Sequence, residues 1–88
     1  MDQFSLFILE DTLQFATEIL PADAILEYVA DIRDYVNIVV CDPADAAATR
    51  RLHAALNALS AIARDNNKFV VHMRLQSIAR EFKFADAA

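Results

Sequence analysis

Apolar residues recur three and four positions apart along most of this 88-residue chain, and that spacing restricts it to helices. The pattern is clearest in residues 22–41, where Ile25, Val29, Ile32, Val36 and Val39 form a seam like that of a coiled coil, with Tyr28 and Tyr35 flanking it. Glu27, Asp31 and Asp34 fall on the outward side. Residues 4–20 place Phe4, Ile8, Phe15 and Ile19 on one side of a helix and Leu9, Leu13, Ala16 and Leu20 on an adjoining one. So wide an apolar arc exceeds a normal amphipathic stripe, so this helix is expected to be central or shared with another molecule.

Short polar interruptions separate the segments. Pro21 stops the first helix and suits the first turn of the second, with Asp23 well placed near that N-terminus. In "DPAD", residues 42–45, Asp42 is the expected N-cap, Pro43 the first helical residue and Asp45 a first-turn acid. The helix that follows runs to about Asp65. Its core stripe is Leu52, Leu56, Leu59 and Ile62, and its solvent stripe is Arg50, His53, Asn57, Ser60 and Arg64. Ala54, Ala58 and Ala61 make a third side, small enough for another helix to approach. Asn66 and Asn67 then stand in for the glycine that the chain lacks, because asparagine tolerates the left-handed conformation that ends helices.

The stretch from 66 to 84 supports two readings. Phe69, Val71, Met73 and Leu75 alternate as a strand would, whereas Val71, Leu75, Ile78, Ala79 and Phe82 share one face of a helix. A strand needs neighbours, and only "FSLFIL" and "NIVV" offer any, so a helix with Asn67 as its N-cap is the expectation. The alternative is an α+β arrangement with short strands at 37–41 and 68–75. In the helical reading, Phe69, Met73 and Phe84 gather on a second side near Ser77 and Arg80.

A chain this short supports one domain, residues 1–88, with a core near the lower limit for independent stability. Apolar residues nevertheless make up 57% of it. Seventeen alanines explain only part of that share, and six phenylalanines with many Leu, Ile and Val exceed what so small a domain hides. Self-association or a partner is therefore expected. No apolar run approaches the roughly 18 residues of a membrane span. An acid in the opening "MDQF" is unlike a secretory leader, and the single Cys41 agrees with a reducing compartment, so a cytoplasmic location is expected.

Charge divides the chain. Residues 1–49 hold ten acids and one base, a net of −9, and residues 50–88 hold seven bases and three acids, a net of +4. Two halves folding against each other would neutralise this asymmetry. Scattered bases in a chain of pI about 4.7 make a poor phosphate-binding footprint.

Absence of glycine removes the phosphate-cradling loops, the dinucleotide fingerprint and the nucleophile elbow, each of which needs backbone that other residues disfavour. Cys41, His53 and His72 come singly on separate segments rather than at zinc-site spacings, so neither metal nor cofactor is expected. Cys41 is read as a small buried apolar residue, His53 as solvated and His72 as a hydrogen-bonded boundary residue. His53 and Ser60 stand about 10 Å apart along one helix, too far for direct proton transfer.

The expectation is an all-α bundle of about four helices, homodimeric through its first and last helices, that binds another protein and does no catalysis. Its role would be that of a small acidic regulator, adaptor or inhibitor of bacterial or phage type, as compactness and alanine and arginine usage suggest. Candidate contact residues are Phe69, Met73, Arg80 and Phe84, of types enriched at interface centres, and the acidic Glu27, Asp31 and Asp34. The alternative is a nucleic-acid-binding protein using Arg50, Arg51, Arg64, Lys68, Arg74, Arg80 and Lys83.

Overall fold

The computed structural model describes residues 3–81. Four helices follow in order, α1 (Gln3–Ile19), α2 (Ala22–Cys41), α3 (Ala46–Asp65) and α4 (Phe69–Glu81). Both stretches considered as strands, 37–41 and 68–75, are helical apart from Lys68, and the described residues contain no strand. The periodic seam decides this: Val36 and Val39 complete the buried row of α2, and Val71 and Leu75 that of α4. β-branched residues lower helix propensity by only tenths of a kcal/mol each, less than burial returns.

Each connection has a local cause. The chain leaves α1 through Leu20 and Pro21, whose extended backbone (φ −60°, ψ 118°) precedes α2. In the "DPAD" turn the expected roles shift by three residues. Asp42 caps the C-terminus of α2, its N–H donating to the Ile38 carbonyl at 2.8 Å, and its side chain accepts from the Ala44 N–H at 3.2 Å. Asp45 is the N-cap of α3, accepting from the Ala48 N–H at 2.9 Å. The reason is that α2 runs to Cys41 and leaves Asp42 no freedom to start a new helix.

Between α3 and α4, Asn67 adopts φ 62°, the one non-glycine residue with positive φ among the described residues. Its N–H donates to the Arg64 carbonyl at 3.0 Å and that of Lys68 to Ala63 at 2.8 Å, the paired bonds of a Schellman motif. Asn67 thus terminates α3 rather than capping α4. The first helical acceptor of α4 is the Lys68 carbonyl, which bonds the His72 N–H at 3.1 Å.

The helices form a ring in which α3 packs heavily on α2 and α4, while α1 closes the ring more lightly against the same two helices. Asp11 meets Arg74, and Phe4 and Glu81 share one groove, so α1 and α4 run antiparallel. Ser60 faces His72 and Asn57 faces Gln76, so α3 and α4 do too. The radius of gyration, 12.3 Å, matches the roughly 12 Å of a compact chain this long.

The core draws on every helix: Leu9, Leu13 and Ala16 from α1; Ile25, Val29 and Ile32 from α2; Leu52, Leu56 and Leu59 from α3; and Val71, Leu75 and Ile78 from α4. The alanine side of α3 is not where a helix packs. Ala54 is exposed and Ala58 and Ala61 half-buried, whereas Ala48, Ala55 and Ala63 are buried beside the leucines. Replacing Leu56, which has no exposure, by alanine should cost about 2–5 kcal/mol in urea unfolding. Leu26→Ala, at a 58% exposed position, should change stability by less than about 1 kcal/mol.

Candidate functional site

Large apolar side chains that remain exposed are not spread evenly. On α1, Phe4 is 72% and Phe7 67% exposed, and Phe15 lies one further turn pair along the same side. On α4, Phe69 and Val70 open the helix and Met73, 67% exposed, follows one turn later. The remaining exposed ones, Leu26, Ile38 and Val40, belong to α2, with Leu26 about 18 Å along the axis from Ile38. Isolated exposures of that kind are ordinary.

Grooves run along the seam of α1 and α4. A groove of about 360 Å³ is lined by Asp11, Phe15, Val70 and Arg74 among others, and a second of about 180 Å³ by Phe4, Ile8, Arg74 and Ser77. Arg74 belongs to both, so the grooves succeed one another along the α1/α4 seam. Its guanidinium reaches Asp11 at 3.8 Å, an exposed pair that contributes little to stability. The outer edge of α4 carries Met73, Ser77 and Arg80, all exposed.

Leu9, Leu13, Ala16 and Leu20 are buried, Ile8 and Ile19 half-buried, and Phe4 and Phe15 exposed, so α1 has one side in the core and one uncovered. Phe69, Met73 and Arg80 are exposed, as an interface reading requires; Phe84 and Phe82 lie outside the described residues. Val70, in the larger groove, and the exposed Phe7 on α1 are residues that spacing alone does not single out. Phe7 lies about 60° from Phe4 around α1, on the same side as Asp11 and Phe15. Its type and position were the available signal.

The acidic residues Glu27 and Asp34 are exposed on α2 and Asp31 is half-buried. The basic residues are not gathered. Arg50 and Arg51 open α3 and Arg64 ends it, about 21 Å away along the axis. Arg64 lies 3.6 Å from Asp65, Arg74 is engaged by Asp11, Lys68 and Arg80 sit near opposite ends of α4, and Lys83 is outside the described residues.

A polar cluster between α3 and α4 was not foreseen, because Ser60 was assigned to the solvent stripe. Ser60 has no exposure. Its Oγ lies 2.6 Å from Nδ1 of His72, which also lies 3.0 Å from the Ser60 carbonyl, and Gln76 donates to Oγ at 3.0 Å. In the tautomer with the proton on Nδ1, that N–H donates to the Ser60 carbonyl and Oγ, and Oγ donates to the His72 carbonyl at 3.3 Å. The cluster ties α4 to α3. His53 is half-buried rather than solvated, and Cys41, expected to be buried, is exposed at the end of α2.

Among the described residues no group of three His, Cys, Asp or Glu is placed to hold a metal, and no helix is long and apolar enough to cross a membrane. Among the described residues, fold and surface define an all-α bundle with large apolar side chains exposed on α1 and α4. Compared with protein families, curated proteins and solved structures, the chain matches none. Ser60→Ala, which removes the hydroxyl at the centre of the α3/α4 cluster and takes from Gln76 its 3.0 Å acceptor, should lower unfolding free energy by about 1–3 kcal/mol in urea titration.

Proposed function

We propose that this chain is a small cytoplasmic protein-binding module, a regulator, adaptor or inhibitor that works by helix-face contact and performs no chemistry of its own. The observation that carries the reading is the exposure of Phe4, Phe7, Phe15, Phe69, Val70 and Met73 on α1 and α4, two helices that share a grooved seam. Aromatic residues and methionine with a nearby arginine, Arg80, are the types that populate interface centres. A surface of this kind beside a fully formed core has a cost in water that a partner removes.

Covering the exposed part of six such side chains would contribute roughly 1–1.5 kcal/mol each, about 6–9 kcal/mol in all. Association itself costs about 4–15 kcal/mol. The apolar face alone therefore supports weak binding, and charges around it must supply selectivity. Glu27, Asp31 and Asp34 offer a second contact, to a basic target surface, on the α2 side of the bundle.

Immobilised chain should retain protein, whether foreign protein from a lysate or free copies of itself, and Met73→Asp should reduce that retention at least about tenfold with helicity unchanged. Equal retention by the two forms would overturn the reading.

A further inference from the structure

We propose that the occupant of the α1/α4 face is a second copy of this chain, paired about a two-fold axis that lies in the interface and runs parallel to the two helices. The proposal rests on the protein-binding reading of that face and adds the partner and its orientation.

Charge supplies the argument. Toward this face α1 presents Asp11 and Glu18 and no base, Glu10 being turned to α2 where it pairs with Arg33 at 2.6 Å, whereas α4 carries Arg74 and Arg80 with Lys68 just before it and Glu81 as its single acid. A two-fold axis allows this face to meet itself in two ways. With the axis across the helices, α1 lies on α1 of the other copy, acid against acid. With the axis along them, α1 of each copy lies on α4 of the other, acid against base, and apolar residues meet in both strips. Only the second arrangement is self-complementary.

The antiparallel seam fixes the register. Within one chain, Asp11 stands level with Arg74, Phe15 near Val70, and Phe4 near Glu81. An axis parallel to the helices preserves those levels. It sets Phe15 of each copy against Val70 and Met73 of the other, and brings Arg80 between the rings of Phe4 and Phe7, where a guanidinium is attracted to aromatic faces. Glu18 then comes level with Lys68. Two layers of two helices close a four-helix interface with no complementary patch left over to propagate a fibre.

Sedimentation of the full chain at roughly 100 µM tests the pairing, since even a weak specific interface is largely occupied there. A particle of twice 9.8 kDa is expected. Met73→Asp and Phe7→Asp, both at exposed positions, should sediment as monomers with unchanged circular dichroism, and Leu26→Asp on α2 should remain dimeric. The orientation is read by cross-linking in a Cys41→Ala background. Phe7→Cys mixed with Ser77→Cys should give a disulfide-linked pair, whereas either alone should not, because like positions lie diagonally, roughly 14 Å apart for axes about 10 Å apart, beyond disulfide reach.

A monomeric wild-type particle overturns the self-pairing, as does a dimer indifferent to Met73→Asp and Phe7→Asp. So does cross-linking of Phe7→Cys with itself and not with Ser77→Cys. A monomer that still captures foreign protein through Met73 removes this proposal and leaves the protein-binding reading standing.

Discussion

The complete burial of Leu52, Leu56 and Leu59, on the helix that packs most heavily against both its neighbours, is the constraint on which the rest of the arrangement depends. A stripe of three leucines about four residues apart admits one rotation of α3, which turns Ser60 and Ala63 inward with it. Ser60 in turn needs partners in a dry setting, and His72 and Gln76 provide them from α4. The hydrophobic stripe positions α3, and the polar cluster sets how α4 lies against it. Val71, Leu75 and Ile78 are then directed into the core, and Phe69, Met73 and Arg80 away from it.

Elements whose geometry follows from periodicity were legible in the sequence, and so was the helix terminus whose chemistry is local. The buried seam of α2 contains the five residues that its spacing identified, with Tyr28 and Tyr35 half-buried beside it. Asn67 adopts the left-handed conformation that a glycine-free chain needs at that point. The difficulty came where one residue type serves two purposes. Aspartate caps a helix at either end of the "DPAD" turn, and only the run of α2 to Cys41 decides which of Asp42 and Asp45 starts α3.

Burial of polar and small residues was less legible for a related reason. Serine and alanine carry almost no hydrophobic signal, so their inward or outward direction follows from larger neighbours. Ala54 and Ala58 resemble a packing surface because they are small, yet the leucine stripe turns Ala54 to solvent and leaves Ala58 only half-buried. Cys41 looked buried by its company of Ile38 and Val40, both of which are themselves exposed. At the candidate face the sequence indicated an apolar excess on α1. It gave no way to place Phe15 beside Val70, because that proximity is created by α1 and α4 closing the ring from opposite ends of the chain.

That closure also ranks the helices by how readily they detach. The pairing of α1 with α4 spans nearly the whole described chain, so its loop entropy is the largest in the fold, and α1 has the least packing to set against it. Native-state openings would begin with α1 swinging off a three-helix remainder whose two tight hairpins are local in sequence. Backbone amides of α1 would then exchange with solvent deuterium well before those of α3, and such an opening would uncover Leu9 and Leu13 as well.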